Sequence, residues 1–302
     1  MNRRLLLCAA ALLAPLLIGS APANAADKIK VAASFSVLGD MVRQVGGERV
    51  EVTSFVGPNG DAHVYEPTPG DTRTLAAAPI LVVNGLGLEG WMSRLEKSSG
   101  FKGTVVTATT GVKTRQMEEQ EHGATHKITD PHAWQSLANG RIYVQNIRDG
   151  LIAADPAGKD VYAANAMRYL AEIDDVEKLV RNSIAKLPPA RRKIITTHDA
   201  FGYFGATYGM EFIAPEGVST DSEASARDVA KIIRQIKAEK VPAVFLENVT
   251  DHRLLDQIAR ETGAKLGGTL YSDALSDANG PAATYLDMFR HNIRTLAAAL
   301  SS

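Results

Sequence analysis

The chain has 302 residues, 45% of them hydrophobic and 22% charged, with a formal net charge of -1, enough apolar material for one large core or two smaller ones. Balanced charge and a pI near 6.7 remove the electrostatic case for a nucleic-acid partner, which needs a basic patch able to displace counterions. After the first two dozen or so residues there is no apolar run of the ~18 residues that a membrane span requires, and the remainder reads as a globular chain.

At the N-terminus, Arg3 and Arg4 precede an apolar run from Leu5 to Ile18, which passes into small residues ending at Ala23-Asn24-Ala25. This is the pattern of a cleaved secretory signal over residues 1–25, because the run is shorter than the ~20 residues of a bilayer-spanning helix. Cys8, the only cysteine, lies inside that run, too early to be the lipid-modified residue after a cleavage site. The mature protein is therefore expected to be periplasmic, without a thiol, a disulfide or a lipid anchor.

From Lys28 onward, short β-branched runs alternate with amphipathic stretches. Strands are expected at Ile29 to Ala33, Val50 to Val56, Ile80 to Asn84 and Thr104 to Thr107, and helices at Val37 to Val45, Pro69 to Ala78 and Ser136 to Ala154. The second half repeats the logic: strands at Lys193 to Thr197, near Phe212, at Ala243 to Glu247 and at Lys265 to Thr269, with helices from Phe201, Arg227 to Glu239, Leu254 to Thr262 and Pro281 to Leu300. Strand–helix alternation predicts α/β lobes, each a parallel sheet with covered faces.

Between the halves, Asp155 is placed as an N-cap and Pro156 at the first helical position. The stripe Leu170, Ile173, Val176, Val180, Ile184 and Leu187 follows, until Pro188-Pro189 stops it. Spacings of three and four put those side chains on one face, and ~30 residues at 1.5 Å each make a rod of roughly 45 Å, long enough to brace two lobes. The expected division is a leader (1–25), an N-terminal lobe (26–154), a connecting helix (155–188) and a C-terminal lobe (189–302).

Of the seven histidines, three fall where sheets end. His63 follows the strand ending at Val56 across a turn-rich loop, His198 directly follows Ile194-Ile195-Thr196-Thr197, and His132 sits in Asp130-Pro131-His132-Ala133-Trp134 before a helix. Asp273 follows the strand ending near Leu270-Tyr271. In open α/β sheets the loops at the carboxyl ends of the strands converge on ligands. Three imidazoles and a carboxylate suit a borderline divalent ion such as zinc. No pair has zinc-finger or H-E-x-x-H spacing, so the fold itself must assemble the group.

Five segments carry a resemblance: G-D-A-H-V-Y-E-P-T-P (Gly60 to Pro69), D-P-H-A-W (Asp130 to Trp134), T-T-H-D-A-F-G-Y-F (Thr196 to Phe204), G-V-S-T-D-S-E-A-S-A (Gly217 to Ala226) and Y-S-D-A-L (Tyr271 to Leu275). In order and over essentially the whole mature chain, they resemble the zinc/manganese solute-binding proteins of ABC transporters. The resemblance implies two α/β lobes joined by one rigid long helix, a metal in the cleft, and ligation by His63, His132, His198 and Asp273. It also implies an inner-membrane ABC permease as partner and a monomeric carrier. Manganese members of the family tend to carry Glu where this chain has His198, and the softer nitrogen favours Zn(II) over Mn(II), with manganese as the alternative. E-N-V-T-D-H-R-L-L-D-Q-I-A (Glu247 to Ala259) and Y-L-D-M-F-R-H-N (Tyr285 to Asn292) are most similar to the subgroup that receives zinc from a periplasmic metallochaperone.

Met117 to His126 is a short acidic segment where many zinc-selective relatives have a far longer one. It reads either as a solvated loop or as a weak auxiliary site in which His122 and His126 briefly hold an incoming ion. Glu66 and Glu223 are either orienting partners for ligating imidazoles or solvated loop carboxylates. Trp134 is either a wall of the metal pocket or a core aromatic, His252 and His291 are expected as surface or packing residues, and Ser225 with Asp228 resembles a capping box. The rival functional class is a zinc hydrolase with three His ligands, an open fourth position and Asp273 or Glu66 as base. A surface adhesin is a further reading, better suited to a tethered protein.

Overall fold

The computed structural model describes residues 28–121, 124–220 and 226–301; the leader, His122, Glu223 and Ser225 lie outside them. In the N-terminal half, β1 (Ile29–Phe35), β2 (Val50–Val56), β3 (Ile80–Val83) and β4 (Thr104–Thr107) form a parallel sheet in the order β2-β1-β3-β4. In the C-terminal half, β7 (Lys193–Ile195), β8 (Glu211–Ile213), β9 (Ala243–Glu247) and β10 (Lys265–Leu270) form a second parallel sheet in the order β8-β7-β9-β10. The two orders are equivalent, with the first strand of each half beside the second and third. The inner strand β3 is an unbroken apolar run and β9 is apolar up to its terminal Glu247, as strands covered on both faces must be.

Helices α1 (Ser36–Gly46), α2 (Pro69–Ala77), α3 (Met92–Ser99) and α4 (Leu137–Ala154) surround the first sheet, and α6 (Gly202–Tyr208), α7 (Ala226–Glu239) and α8 (Arg253–Thr262) the second. Helix α2 opens with a full capping box, Thr68 and Asp71 satisfying each other's backbone N–H groups, with Pro69 beside it. Helix α3 has no counterpart among the expected elements. Only Trp91, Met92 and Leu95 of its segment are buried, too few to imprint a helical period.

The connecting helix is present as α5 (Lys159–Ala185), preceded by a 3-10 turn at Pro156–Gly158. Its 27 residues span ~40 Å. Ile173, Val176, Val180, Ile184 and Leu187 are buried, and Tyr162, Ala166 and Tyr169 extend the same face. Asp155 does not cap the helix with its side chain. Its Oδ2 instead accepts from Arg49 Nε at 2.9 Å and from the Tyr162 hydroxyl at 2.7 Å, because a charge-assisted pair outcompetes a lone amide. The last helix, α9 (Tyr285–Leu300), starts four residues later than the expected Pro281, since Thr284 is its cap and Ala282 is tied back to Ser276.

The segment read as an acidic loop is an antiparallel hairpin, β5 (Gln116–Glu121) with β6 (Ala124–Thr129). Thr125, Ile128 and Thr129 give the return strand its β-branched character. This two-stranded ladder joins neither main sheet.

One apolar core runs through both halves. It includes Val31, Phe35 and Trp91 on the first sheet's side, Ile173 and Val180 on α5, and Phe201, Phe245 and Phe289 in the C-terminal half. A smaller cluster around Ile195, Ile232, Val244 and Ile258 fills the far side of the second sheet. Helix α9 packs on β10, α5 and α1. Its first residue, Tyr285, donates its N–H to Asp40 on α1 at 2.9 Å and its hydroxyl proton to the Trp134 carbonyl at 2.6 Å. Two helices, α5 and α9, therefore tie the halves together.

Candidate metal centre

The carboxyl ends of both sheets face one another across the cleft, and each candidate side chain arrives there from a different loop. His63 is carried by the loop after β2, shaped by Asp61, whose Oδ1 accepts the His63 N–H at 2.9 Å. His132 follows β6 and precedes the 3-10 turn Ala133–Gln135 that leads into α4. His198 follows β7, and Asp273 follows β10. His132, His198 and Asp273 are fully buried, and the His63 side chain is only 5% exposed, its accessible part being mainly backbone.

The structure brings these four together. One donor atom from each lies within 4.8 Å of all the others. Asp273 Oδ2 is 3.0 Å from His198 Nε2, 3.2 Å from His63 Nε2 and 3.7 Å from His132 Nε2, and the last two nitrogens are 3.2 Å apart. For four donors at zinc bond lengths, the edges of the tetrahedron are ~3.3 Å; these four of the six edges lie between 3.0 and 3.7 Å. Asp273 Oδ1 is buried without a hydrogen-bond partner among the described residues, so the carboxylate has acceptor capacity turned to no protein donor.

Two further carboxylates stand behind the imidazoles. Asp130 Oδ1 lies 2.9 Å from His132 Nδ1 and accepts the His132 N–H at 3.0 Å. Glu247 Oε2 lies 2.8 Å from His198 Nδ1, and its Oε1 accepts the N–H groups of Thr197 and His198 at 2.8 and 3.0 Å. Both are fully buried. The Asp130 contact directs the opposite nitrogen of His132, Nε2, into the cleft and raises its basicity as a donor; the approach of Glu247 Oε2 to His198 Nδ1 is an ion-pair contact without hydrogen-bond geometry. Sequence reasoning assigned neither carboxylate a place behind an imidazole. Asp130, two residues before His132 inside the D-P-H-A-W segment, offers a signal; Glu247, 49 residues from His198, offers none beyond ending a strand.

The electrostatics follow from this packing. Burial disfavours charge on His132, but the Asp273 and Asp130 carboxylates outweigh it and lift its pKa to about 9. His198 is pushed well above the ordinary imidazole value for the same reason, burial being overcome by Glu247 and Asp273. Burial likewise raises Asp273, yet the His198 and His132 imidazoles hold it well below the usual carboxylate range. The cluster thus stabilises cationic charge at its centre.

The remaining candidates lie elsewhere. His126 is exposed on β6, opposite Glu119 in the ladder. Glu66 is exposed, and the carboxylates set against the ring nitrogens are instead Asp130 and Glu247. His252 precedes α8 on the surface, and His291 Nε2 is 3.0 Å from the Thr269 carbonyl, a packing contact on β10. Trp134 is both pocket wall and core residue: its ring lies 5.3 Å from His132 and 4.9 Å from Phe35, and it is fully buried. A cleft of about 480 Å³ opens beside His63, walled by Leu86 to Leu88, Pro131 and Val218.

Two parallel sheets bridged by a long helix, with a nitrogen- and oxygen-lined centre between them, define a solute-binding protein for a metal ion. The chain belongs to the zinc-uptake complex component A periplasmic family, ZnuA, which it matches over residues 31–299. It is 34% identical to the zinc-binding protein TroA of Treponema pallidum over 94% of this chain and 92% of that protein. The TroA structure superposes with a TM-score of 0.83 at 31% identity, covering 91% of this chain and 100% of the other. The manganese-binding lipoprotein MntA of Halalkalibacterium halodurans is 32% identical over 91% of this chain and 89% of its own length. The iron-binding protein YfeA of Yersinia pestis is 31% identical over 91% and 88%. The family consists of substrate-binding components that work with ABC permease and ATPase subunits, not of enzymes, which removes the hydrolase reading. Among the described residues no helix is long and apolar enough to cross a membrane.

Proposed function

We propose that this protein captures Zn(II) in the cleft through His63, His132, His198 and Asp273 and delivers it to the permease of an ABC importer. The observation that carries this reading is the set of donor separations, 3.0 to 3.7 Å around Asp273 Oδ2, matching the ~3.3 Å edge of a zinc tetrahedron. Three nitrogens and one oxygen favour zinc over a harder ion. Manganese is the second reading, supported by the manganese-binding relatives. The division into lobes at 26–154 and 189–302, export by a cleaved leader over 1–25 without a lipid anchor, a monomeric state, and zinc supply by a periplasmic metallochaperone complete the proposal.

Metal analysis of protein purified without chelator, followed by competition titration of zinc against manganese, tests it. One tight zinc per chain is expected, lost in His63→Ala and His198→Ala. Unchanged stoichiometry and affinity in both variants would overturn the ligand set, and a manganese preference in the parent would replace the metal.

A further inference from the structure

Arg115 and Asp130 face each other at the open end of the β5–β6 hairpin, one step beyond the Gln116–Thr129 pair, and the Asp130 N–H donates to the Arg115 carbonyl at 3.0 Å. Arg115 Nη1 donates to Asp130 Oδ2 at 2.5 Å, while the other oxygen of the same carboxylate holds His132. Tyr203, from the C-terminal half, reaches both the backbone and the guanidinium of Arg115. The Arg115 N–H donates to the Tyr203 hydroxyl at 3.0 Å, that hydroxyl donates to the Asp130 carbonyl at 3.1 Å, and the guanidinium carbon stands 5.6 Å from the Tyr203 ring centre.

This seat exists because residue 202, the first of α6, is glycine. A Cβ there would fall 1.6 Å from Arg115 Nη1 and 2.8 Å from Asp130 Oδ2. Gly202 has no need of its conformational freedom, since its φ is not among the positive ones. Its service is the missing side chain. Charge balance points the same way. Asp130, Glu247 and Asp273 are three fully buried carboxylates, Asp199 lies in the same field, and Arg115 supplies a cation paired directly with one of them, Asp130.

We propose that Arg115 is a positioning residue for metal capture: seated in the niche left by Gly202, it fixes Asp130 and, through Asp130, the orientation of His132 Nε2. The proposal rests on His132 being a ligand. It makes the hairpin's base, rather than its tip, the part that acts on the tight site, and it assigns the second-half residue Gly202 to a ligand carried by the first half.

The test uses the full mature chain with Zn(II) competition titrations and Co(II) absorption spectra on His132→Ala, Arg115→Ala, Arg115→Lys, Gly202→Ala and the Arg115→Ala/Gly202→Ala double variant. Arg115→Ala and Gly202→Ala are each expected to weaken zinc binding about 3- to 10-fold, below the ~10- to 100-fold range for loss of the ligand's own partner because both act through the retained Asp130, at unchanged stoichiometry, and to alter the Co(II) bands. Arg115→Lys is expected to recover part of the affinity, as a single-point cation facing the same oxygen. Because the added methyl of Gly202→Ala acts mainly by evicting the guanidinium, the double variant is expected to stay within about threefold of the weaker single variant rather than multiply the two losses. Full affinity in His132→Ala would overturn the ligand reading itself. Loss of binding in His132→Ala with parental affinity and Co(II) spectrum in both Arg115→Ala and Gly202→Ala would overturn this inference alone. A shifted unfolding temperature of the metal-free protein with an unchanged Co(II) spectrum would also overturn it, leaving Arg115 a stability residue.

Discussion

The Trp134 indole N–H donates across the cleft to the Ser272 carbonyl at 3.0 Å, so the residue two places after His132 is bonded to the residue immediately before Asp273. Gln135 Nε2 donates to the same carbonyl at 2.7 Å. The proposed donors His132 and Asp273, from opposite halves, are thereby tied through one shared acceptor, and their separation depends on that buried junction as much as on the sheets.

Trp134→Phe keeps the aromatic packing against Phe35 and removes the indole donor. The Ser272 carbonyl retains Gln135, so the hydrogen bond itself accounts for about 1 kcal/mol, and the volume lost from a fully buried site brings the expected loss of stability to about 2–3 kcal/mol. Chemical denaturation of the metal-free protein measures it. Zinc affinity is expected to fall severalfold as the His132–Asp273 spacing loosens.

His198→Glu replaces a nitrogen donor by a harder oxygen and is expected to raise the ratio of manganese to zinc affinity. Its absolute affinity for both ions is expected to drop, because Glu247, now 2.8 Å from His198 Nδ1, would face a second carboxylate in a fully buried site. Adding Glu247→Gln relieves that repulsion and is expected to recover manganese binding. Competition titrations on the single and double variants check both steps; an unchanged ratio would assign the preference to cavity geometry.

Metal binding requires neutral imidazoles, and His132 carries its proton up to about 9 in the metal-free protein. Protons therefore compete with the ion well above the ~6.5 of an unperturbed histidine. Apparent zinc affinity is expected to keep rising from pH 7 toward 9, and acid to release the ion. Stability of the metal-free fold runs the other way. A histidine whose folded pKa is raised contributes fully below ~6.5 and loses that contribution as pH rises through about 9. Chelator competition and thermal unfolding at pH 6, 7, 8 and 9 test the two opposed slopes.

The hairpin outside its base is expected to govern arrival rather than retention. Its ladder joins neither main sheet, and the four central donors lie outside it. Deleting residues 118–126, with Arg115 and Asp130 retained, is expected to leave equilibrium affinity within a few-fold while slowing uptake from dilute zinc or from a chaperone. Local negative charge raises capture rates in a salt-dependent way, so stopped-flow uptake at low and high ionic strength checks it. Equal rates for the deletion and the parent, with chaperone present and absent, would leave the hairpin without a role in capture.

Most of the sheets and the long helix are legible in the sequence because β-branched runs and three–four spacing are local signals. The limits of legibility are equally physical. Asp155 reads as a cap, yet its partner Arg49 is 106 residues away, and sequence order gives no warning of that pairing. Helix α3 contributes too few buried side chains to show a period. The acidic segment is strand because its neighbour across the ladder is itself, a pairing that composition conceals. At the site, a strand-end position can be recognised for His63, His198 and Asp273, but the carboxylates that stand behind the imidazoles are chosen by three-dimensional approach, which is why Glu66 and Glu223 look as eligible as Asp130 and Glu247.

The continuous core through both halves, with α5 and α9 each bridging them, has a calorimetric consequence. Opening the halves as rigid bodies would have to break that shared core and the packing of both helices, so capture is expected to involve little rigid-body closure and to bury little new apolar surface. Binding is then expected to show a heat-capacity change close to zero, in contrast to the large negative value that accompanies apolar burial. Its enthalpy, once corrected for protons released to buffer, is expected to be nearly independent of temperature. The free energy of ligation is expected to be retained as affinity rather than consumed in moving domains, with release starting at individual donors, of which His63 lines the neighbouring cleft.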